Sequence, residues 1–321
     1  MRTLLCVAAL LGASLMAQVH AQPYPARAIR VYIPFTAGSA ADIIARAMEP
    51  QLREKLGQPL IIDNRGGAGG NIAAELTAKS APDGYSVMMG TVGTHAINLA
   101  LYSKLPYHPQ RDFTPVALVG ESPNILVLNP YVPAKSIKDL IALGKANPGK
   151  LNYGSSGSGT TVHLSGELFS TMAGIKMVHV PYKGASEALT ALLSGQLDLM
   201  FASLSSAIPL VKAGRLRGFA VTGEKRSPSI PDMPTLSEAA LSGYSASAWF
   251  GLLGPAGMPP AAVTTLSNAA LASLQTQEVK DRLFASGVEV RAMPPAEFTQ
   301  LIDSEIKKWA LVVKASGAKV D

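Results

Sequence analysis

The chain has 321 residues, of which 48% are apolar and only 16% are charged. This balance excludes a disordered chain, and the length suffices for about two domains. The one cysteine, Cys6, lies in the N-terminal segment, so a mature chain without that segment has no disulfide, thiolate metal site or cysteine nucleophile. The net charge of +6 comes without a dense run of Lys or Arg, which argues against nucleic-acid binding and suits small anions.

The N-terminus has the pattern of a secretory signal peptide. Arg2 precedes an almost wholly apolar stretch, residues 3–17, and Val19 and Ala21 put small residues before a cleavage point. This stretch is shorter than the ~20 residues that a membrane-spanning helix needs. We therefore expect cleavage after Ala21 of a signal peptide of residues 1–21, and export of the mature protein to a bacterial periplasm.

Downstream, short apolar runs alternate with glycine- or serine-rich turns and helical patterns. The first unit is a strand at 28–35, a turn at 36–39 and a helix at 42–56. Further strands are predicted at 59–63, 85–89, 124–128, 151–153, around 178–181, 197–201 and 216–222. Further helices are predicted at 71–79, 96–102, 136–145, up to Met172, and at 186–193, 205–213 and 296–314. The alternation predicts an α/β fold with mostly parallel sheets flanked by helices.

Two extended segments, 113–129 and 216–222, are predicted to cross between two lobes. Residues 22–120 and 223–321 would form a discontinuous first lobe, and residues 121–222 would form a second lobe inserted into it. A ligand would then lie in the cleft between the two lobes.

Several segments resemble a known family in order along the mature chain. They are 34–42 (PFTAGSAAD), 63–71 (DNRGGAGGN), 81–85 (APDGY), 151–157 (LNYGSSG), 179–184 (HVPYKG), 220–228 and 249–252 (WFGL). They resemble the Bug/TctC solute receptors, the extracytoplasmic binding components of tripartite tricarboxylate transporters. The resemblance implies a two-lobed, type II periplasmic-binding fold that closes on a small carboxylate and presents it to a membrane permease. One departure is Ser39, which follows Gly38 where the family commonly has a second glycine; Ser39 would contact the ligand or narrow the pocket.

Three turns are predicted to hold the acid, namely 36–39, 90–94 and 154–160. Each precedes a helix, so its backbone N–H groups lie at the positive end of a helix dipole, which favours a carboxylate. Each also follows a parallel strand, at the sheet edge where ligands bind. The alternative is that Gly and Ser only make tight turns and helix caps there. The segment 66–70 is interpreted mainly as close packing or a hinge.

Individual side chains leave two interpretations open. Phe35 stacks on a ligand or closes a strand end, and the resemblance favours contact. Asp42 contacts the ligand or only complements the dipole of its helix, and Asp198 accepts a bond from the ligand or caps a loop. His95 follows Thr94 and would face the cleft, whereas Lys183 is a ligand cation or a solvated surface residue.

The ligand-binding residues predicted in this way are Phe35, Thr36, Ala37, Gly38, Ser39, Asp42, Thr91, Thr94, His95, Ser155, Ser156, Gly157, Ser158, Gly159, Thr160 and Asp198. No cofactor is expected, and no metal, since the spacing of His163 and Glu167 lacks a second ligand pair. Nucleophile-elbow, dinucleotide and P-loop motifs are missing. We expect a monomeric, non-enzymatic binding protein for a di- or tricarboxylate, an aromatic acid or an acidic amino acid. The alternatives are a sensor for a membrane kinase and a hydrolase assembled from Ser156 and His179.

Overall fold

The structure, a computed structural model, describes residues 24–182 and 185–320. The predicted signal peptide with its cleavage point after Ala21 lies outside the described residues, as does Lys183. In the described part of the chain, no helix is long and apolar enough to cross a bilayer.

Strands and helices alternate along the chain, with ten strands and eleven helices in the described residues. The strands are β1 (Ile29–Ile33), β2 (Leu60–Asn64), β3 (Ser86–Thr91), β4 (Phe113–Leu128), β5 (Asn152–Ser155), β6 (Val178–Pro181), β7 (Leu199–Ser203), β8 (Arg217–Val221), β9 (Ser247–Pro255) and β10 (Glu289–Met293). The helices are α1 (Ala40–Leu56), α2 (Asn71–Ala78), α3 (Asn98–Leu101), α4 (Ile137–Ala146), α5 (Thr161–Ala173), α6 (Ala185–Leu193), α7 (Leu204–Lys212), α8 (Leu236–Ala239), α9 (Pro260–Ser273), α10 (Gln277–Ala285) and α11 (Pro295–Ser316). A short 3₁₀ turn (Ala68–Gly70) precedes α2, and a π-helical turn (Gly93–Ile97) precedes α3.

The strands form one sheet in the order β2-β1-β3-β9-β4-β7-β5-β6, with β8 and β10 also paired to β4. Pairing is parallel where helices connect the strands, between β1 and β2 or β3 and between β5 and β6 or β7. The long strand β4 and its neighbour β9 run antiparallel to their partners. The predicted α/β fold with parallel strands flanked by helices is confirmed.

Strand β4 belongs to two groups of strands. Its first part, Phe113–Pro123, pairs with β9, while Asn124–Leu128 pairs with β7. We call β1, β2, β3, β9 and β10 the outer strand group and β5 to β8 the central strand group. The segments that connect the two groups meet at one point, because Asn124 N–H donates to Thr222 Oγ1 (2.8 Å) and Thr222 N–H donates to Asn124 O (2.8 Å).

Local sequence explains where the helices that border the cleft begin and end. Ser39 caps α1, with Oγ accepting from Asp42 N–H at 3.4 Å, and the left-handed Gly57 (φ 66°) ends it. Thr160 caps α5 in the same way, its Oγ1 accepting from His163 N–H at 3.3 Å.

The C-terminal helix α11 packs against both groups through one apolar face. Phe298, Ile302 and Trp309 on that face are buried, as the helical spacing predicted. The helix contacts α5, the π-helical turn and β4. It therefore forms a shared support behind the two sides of the cleft.

Candidate functional site

A cleft of about 340 Å³ lies between the outer and central strand groups. It is lined by Phe35, Ala40, Ala41, Gly69, Thr91, Val92, Gly93, Ile97, Asn98, Leu101, Tyr102, Ser156, Ser158, Gly159, Thr160, Thr161, Ala248 and Phe250. Of the sixteen residues predicted from the sequence, the lining includes Phe35, Thr91, Ser156, Ser158, Gly159 and Thr160. The structure thus brings residues near all three predicted turns to one cavity.

The turn before α5 contributes Ser156, Ser158, Gly159 and Thr160 to the cleft lining. Thr160 Oγ1 donates to Gly157 O at 2.7 Å. Gly157 (φ 125°) and Gly159 (φ 78°) have backbone conformations that residues with a side chain rarely adopt. The N–H groups of Ser156 and Ser158 donate to no atom of the described residues. These N–H groups lie beside the positive end of the α5 dipole, where they are suited to an anion.

Buried side chains beneath this turn hold its shape. Ser155 is fully buried; its Oγ accepts from Gly157 N–H at 3.1 Å and lies 2.6 Å from His179 Nε2. Gly159 N–H donates to His163 Nδ1 at 3.0 Å. The imidazole rings of His163 and His179 stack with centroids 3.8 Å apart. Ser155 and Gly157 therefore belong to the support of the cleft rather than to its lining.

The imidazoles beneath the turn are neutral. Burial, assisted by the neighbouring His179, lowers the pKa of His163 to about 3, and burial lowers the pKa of His179 to about 4. Glu167 contacts the Tyr153 hydroxyl, and burial raises the pKa of its carboxyl. His163 Nε2 lies 3.7 Å from Glu167 Oε1, and in residues 24–182 and 185–320 no group of three or more His, Cys, Asp or Glu side chains is arranged to hold a metal.

The first turn is organised by Asp42. Its buried carboxylate accepts from Gly38 N–H at 2.9 Å and from Arg46 Nε at 3.0 Å, and it also accepts from Asn64 Nδ2. Burial acts to raise the pKa of Asp42, but the bonds from Arg46, Gly38 and Asn64 outweigh it and lower the pKa below its ordinary value. Asp42 is absent from the cleft lining and acts as a positioning residue for the turn.

The remaining residues of the first turn lie outside the lining. Thr36, Ala37 and Gly38 are exposed, and the N–H groups of Thr36 and Ala37 donate to no atom of the described residues. Ser39 uses its hydroxyl as the α1 cap, the role that the alternative interpretation of these turns expected. Phe35, just before the turn, does line the cleft.

Three residues at the end of β3 and in the following turn were predicted to bind the ligand: Thr91, Thr94 and His95. Only Thr91 lines the cleft. Thr94 Oγ1 accepts from Thr91 N–H at 3.0 Å and lies 2.8 Å from His95 Nδ1. His95 is fully buried with its ring edge-on to Phe113, and burial lowers its pKa to about 3. His95 was predicted to face the cleft, but the uncharged ring lies in the core behind the cleft lining.

Asp198 lies at the other end of its strand. Its carboxylate accepts from the Tyr131 hydroxyl at 2.8 Å and from Asn152 N–H at 2.7 Å. Asn152 begins β5, whereas the cleft turn follows the end of β5. Of its two predicted roles, the geometry favours the structural one.

The wall formed by α3 and the 3₁₀ turn is not among the ligand-binding residues predicted from the sequence. Asn98 Nδ2 donates to Gly69 O at 3.1 Å and to Asn71 Oδ1 at 2.7 Å, and the Tyr107 hydroxyl lies 2.9 Å from the same Asn71 oxygen. A Cβ on Gly69 would lie 2.6 Å from the Tyr102 hydroxyl, which supports the close packing inferred for this segment. The spacing i, i+4 of Asn98 and Tyr102 in a predicted helix was the available signal.

The cleft is lined by apolar side chains together with hydroxyl and amide groups, and none of its described lining residues is charged. Phe35, Ile97, Leu101 and Phe250 supply the apolar surface. An anion in this cleft would meet N–H groups and helix dipoles but no cationic side chain of the described lining. The groups that the described lining offers to a ligand are hydroxyls, a side-chain amide and backbone amides.

Three comparisons relate this chain to known proteins. It is 35% identical over 309 residues to Protein BugT of Bordetella pertussis, covering 96% of this chain and 95% of that protein. Its structure is similar to that of Rpa4515 of R. palustris with adipate (TM-score 0.78, 38% identity, 92% and 100% of the two chains). It is also similar to MatC of Rhodopseudomonas palustris with bound malate (TM-score 0.74, 35% identity, 90% and 100%).

The comparison with family models agrees with these likenesses. The family described as the tripartite tricarboxylate transporter family receptor, TctC, matches residues 44–318. That range includes every strand except β1 and all of the cleft lining except Phe35, Ala40 and Ala41. The chain therefore belongs to the TctC family of periplasmic solute-binding proteins.

Proposed function

We propose that this protein captures a small organic acid in its cleft and presents it, chemically unchanged, to the permease of a tripartite tricarboxylate transporter. One observation carries the proposal. The N-terminal ends of α1 and α5 border the same cavity, and the N–H groups of Ser156 and Ser158 there donate to no described residue. None of the described lining residues is charged. Such a site favours a carboxylate over neutral solutes and binds it reversibly.

The two parts of a bound acid would meet different surfaces. The carboxylate would accept from Ser156 and Ser158 N–H, directly or through water. The carbon body would lie against Phe35, Ile97 and Phe250. The adipate and malate bound to the two R. palustris proteins support a carboxylate as the ligand class.

Binding would be coupled to closure of two lobes, residues 22–120 with 223–321 and residues 121–222. The contacts between Asn124 and Thr222 support a hinge where the strand groups connect. Leu101 from the outer side packs against Gly159 from the central side, so both sides of the cleft touch across it. A ligand that contacts both sides stabilises the closed form.

The cellular setting is part of the same proposal. Signal-peptide cleavage after Ala21 would release a monomeric protein into the periplasm, and the closed form would dock on the permease. Family membership supports a transporter as the partner.

We also propose that the protein has no enzymatic activity. The hydrolase alternative needs a serine that is both activated by His179 and open to substrate. Ser155 contacts His179 but is fully buried, whereas Ser156 lines the cleft and makes no hydrogen bond with His179 in the described residues. The two requirements therefore fall on different serines.

The test is calorimetric and thermal-shift binding with protein freed of ligand by unfolding and refolding. The panel contains C4 to C8 diacids, citrate, aromatic acids and acidic amino acids, each beside its neutral amide. An acid at 100 times its Kd should add about 2.7 kcal/mol to the free energy of unfolding, and its fully amidated form should add nothing measurable. Equal shifts by acids and amides, or no shift by any acid, would contradict the proposal.

A further inference from the structure

Hydrogen bonds to neighbouring residues fix the orientation of the Asn98 side-chain amide, which lies at the cleft. The Nδ2 group has two hydrogens, and it donates both, to Gly69 O (3.1 Å) and to Asn71 Oδ1 (2.7 Å). Because Gly69 O can only accept, the amide orientation is determined by its neighbours rather than chosen. The single hydrogen of the Tyr107 hydroxyl lies between two acceptors, Asn71 Oδ1 at 2.9 Å and Thr94 O at 2.8 Å.

The oxygen of this amide is the group that remains for a ligand. Asn98 Oδ1 accepts no hydrogen bond from the described residues and is not among their solvent-inaccessible unpaired polar atoms. The residue is only 3% exposed and lines the cleft, so its small accessible surface lies on the cleft side. A carbonyl oxygen attracts a hydroxyl, amide or ammonium donor and repels a carboxylate oxygen.

The surroundings do not compensate a second negative charge near Asn98. Among the described lining residues none is cationic, and the remaining polar neighbour on α3 and its end, Tyr102, has a hydroxyl that can either donate or accept. Tyr102 therefore adapts to either kind of ligand, while Asn98 does not. Burying a polar group against an unmatched partner is costly, which makes Asn98 a strong discriminator.

We infer that Asn98 is a specificity-determining residue that selects acids carrying a hydrogen-bond donor in addition to the carboxylate, and disfavours a second carboxylate beside it. This inference rests on the proposed function, because it assumes that the cleft binds an acid.

The experiment uses three near-isosteric acids at each of three chain lengths. The C4 set is succinate, succinamate and 4-oxopentanoate; the C5 set is glutarate, glutaramate and 5-oxohexanoate; the C6 set is adipate, adipamate and 6-oxoheptanoate. Within a set the distal group is a carboxylate, an amide donor or a methyl ketone of the same shape. Calorimetry gives Kd for the full mature protein, for Asn98→Leu and for Tyr102→Phe.

At the chain length that binds most tightly, the monoamide should bind the wild type roughly tenfold more tightly than either the diacid or the methyl ketone. Asn98→Leu should bind the monoamide no more tightly than the ketone, whereas Tyr102→Phe should retain the preference. The inference is overturned if the wild type binds the diacid as tightly as the monoamide, or if the amide-over-ketone preference is lost in Tyr102→Phe. It is also overturned if that preference survives in Asn98→Leu.

The wild-type series is decisive by itself if Asn98→Leu does not fold. Failure of the proposed function has a different signature, because then no monoacid, diacid or monoamide binds the wild type at any chain length. That result overturns both the proposed function and the assignment of Asn98, whereas acid binding without the donor preference overturns the assignment alone.

Discussion

The Oγ atom of Ser155 lies 2.6 Å from Nε2 of His179, directly beneath the turn that offers N–H groups to the cleft. The same oxygen accepts from Gly157 N–H at 3.1 Å, so one buried hydroxyl joins the imidazole to the backbone of the turn. This contact resembles half of a catalytic dyad, but its position makes it a support for the binding site.

Ser155→Ala tests that interpretation. The change leaves Gly157 N–H and His179 without their partner, which should lower the free energy of unfolding by about 1–3 kcal/mol and weaken acid binding. Ser156→Ala keeps the backbone N–H and should alter the acid Kd by less than about threefold. Denaturant unfolding and calorimetry measure both. Turnover of ester substrates by the wild type that Ser155→Ala abolishes would establish a hydrolase instead.

Gly159→Ala should impair closure of the cleft. A Cβ there would lie 2.3 Å from Leu101 Cδ2, and the backbone has φ 78°. We expect at least a tenfold weaker acid affinity, because the sides of the cleft can no longer approach as closely. Gly149→Ala is the matched control, since Gly149 has φ 72° with nothing within 4 Å of its Cβ position.

The control separates backbone strain from the steric clash. Gly149→Ala should lower stability through the left-handed backbone alone and leave the acid Kd unchanged. Adding Leu101→Ala to Gly159→Ala should restore part of the affinity. Equal affinities for Gly159→Ala and the wild type would show that Leu101 does not have to approach Gly159 for binding.

The buried imidazole of His95 should make stability depend on pH. Its pKa of about 3 is below the ordinary 6.5, so the unfolded chain binds more protons between these values and stability falls as pH decreases from 6.5 toward 3. His95 alone should cost about 2 kcal/mol between pH 7 and pH 5. Urea unfolding at both pH values gives the loss.

His95→Phe isolates this contribution from those of His163, His179 and the buried glutamates. Whatever the absolute stability of the variant, its loss of unfolding free energy between pH 7 and pH 5 should be about 2 kcal/mol smaller than that of the wild type. The same loss in both proteins would mean that His95 is protonated in the folded state.

Tryptophan fluorescence should report ligand binding through Trp249. The chain has two tryptophans, and both indole N–H groups donate to Glu305, Trp249 at 3.3 Å and Trp309 at 2.8 Å. Trp249 lies between two cleft-lining residues of β9, whereas Trp309 is on α11. An acid-induced change in emission should persist in Trp309→Phe and disappear in Trp249→Phe, and the reverse pattern would contradict this assignment.

Local sequence was sufficient for much of the fold. Ser39 and Thr160 cap helices because each is a hydroxyl residue between a strand-ending turn and a helical pattern, and the capping bonds involve only neighbours in the chain. The apolar face of α11 was predicted from the helical spacing of its apolar residues for the same reason. Strand β9 was not predicted, because antiparallel insertion between β3 and β4 depends on partners far away in the chain.

In the candidate site, too, the local features were predictable from the sequence and the long-range ones were not. By itself, the sequence determined the α/β alternation and the turns whose N–H groups suit an anion, since these follow from backbone chemistry within a few residues. Only the tertiary structure decided which side chains reach the solute. It put His95 in the core, Asp198 at the amino end of its strand and Asn98 in the cleft lining. Packing and hydrogen bonds between distant segments determine the direction of a side chain, and a single sequence does not contain those contacts in readable form.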